Sequence, residues 1–359
     1  MNFDLSEDQT LLQAAVERFV GDCYGGDLSA RRAARATPAG FSAAHWRRLA
    51  ETGVLALPAS AANGGLAGSH VDLMVVMEVL GRGLVAEPVL EALVATALLD
   101  AAGAADALAP LIAGDALVVL AHAEREARYK LDAVTATATP HGAGMRLDGT
   151  KIAVNAGGPA DRIIVSARYA GGIGFWLVAG DAPGVDRRPY RLADGSVAAE
   201  IALRQVEAGP ALGIGIDRLR AVVALARLAA AAEMLGAMTL LFETTLAYVK
   251  TRHQFGQPLG NFQVIQHRMT DAYVLVEQAR SQVVRAALAP EADFARAAAG
   301  AKAYVADAAF TVAHTAVQMH GGMGITDELL IGHALKRIRV LALTFGDAGA
   351  GLDDYRRAA

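Results

Sequence analysis

The sequence predicts an α+β chain whose parts follow in the order helical, β, helical. Three observations carry that reading. The 359 residues are 54% hydrophobic but only 6% aromatic, with alanine, the strongest helix former, supplying much of the difference. From about residue 117 the chain breaks into short β-branched runs punctuated by Gly, Pro and Asp. From Asp217 to Arg252 it then runs without a proline in a helical pattern. The boundaries fall at 1–115 for an N-terminal helical domain, 116–210 for a middle β-barrel and 211–359 for a C-terminal four-helix bundle.

The elements support this in order. Ser6 and Gln9 stand three apart, the spacing of a capping box, before "TLLQAAVERFV". "SAAHWRRLAETG", "VDLMVVMEVLGRG" and "PVLEALVATALLDAAG" read as further helices, with the glycine-rich turn "PASAANGGLAGSH" between the first two. "ALVVLAHAE", "AVTATAT", "GMRLDGTKIAV", "DRIIVSARY", "GFWLVAG" and "AAEIALRQV" read as strands of an antiparallel barrel or sandwich of about a hundred residues. After the long helix, Phe262, Ile265, Met269, Tyr273 and Val276 recur at spacings of three and four and share one face of the next helix. Two more helical stretches, "DFARAAAGAKAYVADAAFTVAHTAVQMHGG" and "DELLIGHALKRIRVLAL", complete a bundle.

Bulk properties exclude several functions. A net charge of −4 offers no electrostatic footprint for nucleic acid. Cys23 is the lone cysteine, so neither an internal disulfide nor a cysteine metal cluster can form. The histidines lack metal-ligand spacing, and no metal is expected. Asp4, Glu7 and Asp8 stand where a signal peptide needs basic and apolar residues. Charges such as Glu91, Asp100, Asp106 and Asp115 interrupt the apolar runs. No membrane-spanning length is therefore expected, and a soluble, reducing, cytoplasmic setting follows.

Two constellations can carry chemistry. "TRHQFGQPLGNFQVIQHRMTD" sets an arginine and an aromatic-glycine turn just ahead of a fresh helix. That pattern can hold a phosphate between a guanidinium fork and helix N–H groups, or be a plain surface turn. "QMHGGMGI" offers Gly321, Gly322 and Gly324 for close backbone approach, or serves only to end a helix.

Taken together, these stretches resemble the acyl-CoA dehydrogenase family. "PASAANGGLAGS", "MEVLGRGLVAEP" and "LDGTKIAVNAGGPADRIIVSAR" extend the likeness over nearly the whole chain. The resemblance implies FAD as cofactor, an acyl-CoA thioester as substrate and an electron-transfer flavoprotein or similar acceptor. It implies an oxidoreductase of fatty acid or sterol catabolism in which a carboxylate removes the α-proton and the flavin accepts a hydride from the β-carbon. It further implies an oligomer whose subunits share each flavin. The residues lent to a neighbour's flavin would be Arg252, Phe255, Gln263, Gln318, Gly321 and Gly322.

Departures from the family pattern gather on the chemistry. The usual catalytic Glu falls on Phe345, so "FGDA" stands in place of "EGT", and the alternative base position falls on Ala226. Neither side chain can accept a proton. In the barrel, Ala153 and Asn155 replace a Trp and a Thr that lie against the flavin. "LAHAEREARYK" keeps only Glu124 of another flavin-wrapping phrase. The expectation is a non-catalytic subunit that pairs with a paralogous acyl-CoA dehydrogenase. The alternatives are a competent homo-oligomer with a displaced base, best Asp347 and less well Glu233 or Glu243, a flavin oxidase or monooxygenase of the same fold, or a flavin-free scaffold.

Overall fold

The computed structural model describes residues 4–26 and 28–357. Helix α1 (Glu7–Tyr24) opens on the expected capping box: Ser6 Oγ accepts from the Gln9 amide at 3.2 Å, and Gln9 Oε1 accepts from the Ser6 amide at 3.0 Å. It is followed by α2 (Ser29–Ala36), α3 (Ala43–Ala50), α4 (His70–Arg82), α5 (Val89–Ala101) and α6 (Ala105–Ile112). Helices α2 and α6 add to the expected set. Both are only eight residues long; α2 carries three arginines and α6 an internal Pro110, features that obscure a helical pattern.

Seven strands follow: β1 (Val118–Ala121), β2 (Thr137–His141), β3 (Gly144–Asn155), β4 (Arg162–Tyr169), β5 (Gly172–Ala179), β6 (Val185–Arg191) and β7 (Val197–Ala208). They form one sheet in the order β1-β4-β2-β3-β7-β6, with β5 also on β4. The sheet is mixed rather than wholly antiparallel. β1 runs parallel to β4, and β2 meets β4 in parallel at Thr137 and Arg168. The stretch from β1 to β4 contains the β2–β3 hairpin, and a connection of that length permits a parallel return. β6, "VDRRPYR", has no apolar alternation to reveal it. It pairs only with β7, and an edge strand tolerates Pro189.

The second helical part starts with α7 (Ile216–Thr251), then the short strands β8 (His253–Gln254) and β9 (Gln257–Pro258). It continues with α8 (Gln263–Ala287), α9 (Glu291–His320), α10 (Leu330–Leu343) and a further helix, α11 (Ala348–Arg357). Against the expectation that no segment reaches spanning length, α7 is long and apolar enough to cross a membrane. In its most apolar window 89% of residues are buried, the mark of a core helix.

By packing, the chain divides into two compact units. One comprises Met1–Arg32, His70–Val85 and Arg227–Ala359; the other comprises Ala33–Ser69 and Ala86–Ala226. In the first, α4 and α7 approach backbone to backbone at two glycines. A Cβ on Gly81 would lie 2.0 Å from Glu233 O, and one on Gly236 would lie 2.0 Å from Glu78 O. In the second, Phe175 and Trp176 of β5 are wholly buried, and Lys151 and Glu124 form an ion pair away from solvent.

Candidate functional site

The six residues expected to face a neighbour's flavin converge at one end of the first unit. Val249 of α7, Met269 of α8 and Met319 of α9 form a buried cluster there, flanked by Leu246, Tyr248, Leu259 and Ile265. The His320 ring stacks on Tyr248 with centroids 4.2 Å apart and fastens the end of α9 to the end of α7. His320 was not singled out in the sequence; its position beside the double glycine is the signal that could have marked it.

On this platform the polypeptide leaves α7 and turns back on itself. The Leu259 amide donates to Arg252 O at 2.8 Å, and β8 pairs with β9 across a two-residue turn. Phe255 and Gly256 form that turn with φ of +53° and +85°, the left-handed geometry of tight hairpins. Phe255 is 89% exposed, an unusual state for so large an apolar ring, and stands edge-on to Phe262. Gln263 opens α8, which has no side-chain cap and so presents its first N–H groups outward. Gln318 lies one turn before the Gly321-Gly322 turn, and a Cβ on either glycine would meet nothing within 4 Å. Among the described residues, the side chains of Arg252, Gln263 and Gln318 are exposed and engage no other residue.

The turn where a base is expected is built differently. Phe345 adopts φ +57°, and its carbonyl accepts from Arg227 Nε at 3.0 Å. Arg227 also pairs with Asp354 at 2.6 Å. Lys302, wholly buried on α9, donates to Ala342 O and Gly346 O, each at 3.0 Å. Burial, reinforced by Arg227 and opposed by Asp347, pushes the Lys302 ammonium down to about 7. Asp347 itself caps α11, accepting from the Ala350 amide at 2.8 Å. The poorer base candidates are also engaged: Glu233 pairs with Arg337 and Glu243 with Arg82, both at 2.6 Å. Ala226 is fully buried on α7.

In the second unit, Lys151 donates to Glu124 at 2.6 Å and to Ser166 Oγ at 3.0 Å. Burial opposes ionisation of Glu124, but bonds from Lys151 and Thr135 outweigh it and hold the carboxyl at about 2. His122, hydrogen-bonded to Ser166, is kept neutral down to about 4 by burial and by Lys151. Ala153 sits exposed at φ +50° beside a bulge between β3 and β7. With a methyl group there, no aromatic platform is offered at that position.

Residues 6–107 match the family described as "Acyl-CoA dehydrogenase, N-terminal domain", and residues 213–357 match its C-terminal domain. The chain is 31% identical over 302 residues to acyl-CoA dehydrogenase FadE27 of Mycobacterium tuberculosis, covering 79% of each protein. The chain belongs to the acyl-CoA dehydrogenase family. Acyl-CoA dehydrogenase IpdE2 of the same organism is 31% identical over 325 residues, covering 90% of this chain and 88% of that protein. Among solved structures, the ChsE4-ChsE5 complex from Mycobacterium tuberculosis superposes with a TM-score of 0.89 at 26% identity, over 99% of this chain and 98% of that one. The Tcur3481-Tcur3483 steroid ACAD gives 0.88 at 29%, over 98% and 97%.

Acyl-CoA dehydrogenases are FAD-dependent oxidoreductases, and one face of this chain fits that cofactor. A free guanidinium, two free amides, an uncapped helix start and two unobstructed glycines suit the pyrophosphate and adenosine parts of a dinucleotide.

Proposed function

We propose that this chain is the non-catalytic subunit of a heteromeric acyl-CoA dehydrogenase, joined to a paralogue that carries the base. Arg252, Phe255, Gln263, Gln318 and the Gly321-Gly322 turn would hold the pyrophosphate and adenine end of an FAD bound mainly by that paralogue. When bound, FAD supplies the hydride acceptor for α,β-dehydrogenation of an acyl-CoA thioester. Arg252 neutralises phosphate charge, the glycines admit the ligand against the backbone, and Phe255 covers an apolar surface.

One contrast carries the reading. Phe345 and Ala226 occupy the two family base positions, whereas the polar side chains lent outward, Arg252, Gln263 and Gln318, stand exposed without a partner among the described residues. The similar ChsE4-ChsE5 complex and Tcur3481-Tcur3483 steroid ACAD support a heteromer and a bulky sterol-derived acyl group. An electron-transfer flavoprotein in the cytoplasm is the acceptor that suits this assignment.

The test is purification of the chain alone and together with a paralogue that retains the catalytic glutamate. Alone it should be colourless and inactive; together the two should be yellow and reduce an electron acceptor when given acyl-CoA. A yellow, active protein from the single chain would refute the assignment.

A further inference from the structure

A cavity of about 1020 Å³, away from the lent residues, lies where the turn between α8 and α9 meets the starts of α1 and α4. Its walls are apolar, with Leu5, Val71, Met74, Val284 and Leu288 among them. Its polar lining includes three arginines, Arg280, Arg285 and Arg296, together with Gln9, Ser281, Asp4 and Asp293. The Arg296 Cζ lies 4.4 Å from the centroid of the Tyr355 ring. Arg285, on α8, lines the same cavity, and its Nη2 lies near Gly300 of α9, as Tyr355 does: a Cβ added to Gly300 would lie 3.7 Å from Arg285 Nη2 and 2.8 Å from Tyr355 Cδ2.

The remaining charged groups of this cavity differ in kind. Arg280 is already paired, to Glu78 at 2.6 Å and Glu277 at 4.0 Å. Asp4 and Asp293 also line the walls, Asp293 in the first turn of α9. Arg285 bonds only the neutral Gln282, at 2.9 Å, and Arg296 only the Tyr355 carbonyl, at 3.4 Å. Among the described residues, neither of these two has a carboxylate within 4.0 Å. Two planar cations with no carboxylate in ion-pair range, one of them stacked on Tyr355, over an apolar floor of ligand size, match one chemical class.

We infer that this cavity binds an amphiphilic carboxylate, its head held between Arg285 and Arg296 and its apolar body along Val71, Met74, Val284 and Leu288. Arginine forks recognise a carboxylate in bidentate fashion, and Tyr355 fixes one fork by stacking beneath it. The site needs neither FAD nor a second chain, so it stands or falls separately from the assignment above.

Sodium decanoate, titrated calorimetrically into the full chain below its micelle concentration, is the probe. Saturable binding is expected, and 1-decanol, which lacks the charge, should give none. The Arg285→Ala/Arg296→Ala double variant should bind decanoate about tenfold more weakly or worse. The charge-matched Arg18→Ala/Arg356→Ala double variant, outside the cavity, should bind as the parent does. If the first double variant does not fold by circular dichroism, Arg285→Gln and Arg296→Gln singly carry the same expectation. Absence of saturable binding, equal affinity in the cavity variants, or an equal loss in the control would each overturn the inference.

Discussion

Two regions of the same unit handle their polar groups in opposite ways. Around 342–347, backbone carbonyls are taken by the buried Lys302 and Arg227 and the one carboxylate is taken by a helix start. Around 252–263 and 318–322, the side chains of Arg252, Gln263 and Gln318 are exposed without a hydrogen-bond or ion-pair partner among the described residues, and Gly321 and Gly322 face open space. The first arrangement serves the chain's own stability. The second leaves a large apolar ring, Phe255, and open glycine turns at the surface, the features on which the proposed cofactor contact rests.

The contrast breaks most visibly at Lys302. Lys302→Met removes the donor for two carbonyls, and by the usual cost of stranded polar groups should destabilise the protein by about 2–4 kcal/mol in urea unfolding. No loss would mean that the clamp is not structural. Its pH dependence has a definite sign. The folded amine takes its proton only below about 7, against 10.5 for an unperturbed lysine. Between those values unfolding takes up a proton, so the lysine's contribution to stability improves as pH rises from 7 towards 10.5. The stability gap between parent and Lys302→Met should therefore widen over that range; a gap that narrows would reverse the assignment of the buried charge.

A smaller effect is expected at the cap. Asp347→Ala should cost about 1 kcal/mol by loss of the α11 cap, while Asp347→Asn, also a good cap, should cost little. At the outward face the stability effect should be smallest. Arg252→Ala should leave unfolding within about 0.5 kcal/mol of the parent. It should nevertheless lower flavin retention in the assembled complex, measured as absorbance per protein after gel filtration. Unaltered retention would detach the hairpin from the cofactor.

Much of this was legible in the sequence. Ser6 and Gln9 announced α1, and the proline-free run from Asp217 announced α7, because cap chemistry and helical periodicity are local signals. β6 was hidden, since an edge strand solvated on its open side needs no apolar alternation. α11 was hidden because "AGAGLDDYRR" opens on glycine and alanine and is fixed by the Asp347 cap rather than by propensity. The hairpin and glycine-turn residues were readable as motifs. Lys302 and Arg227 were not: in sequence each is one cation on an alanine-rich helix, and only packing makes them buried clamps. Asp347 could be seen as a carboxylate near the expected base but not as a cap.

The most direct test compares two substitutions in this chain within the active, assembled complex. Arg252→Ala is predicted to reduce acyl-CoA-dependent turnover together with flavin content, while Asp347→Asn leaves turnover unchanged. Loss of turnover in Asp347→Asn, with flavin content and stability intact, would place the proton-abstracting group in this chain and contradict the account.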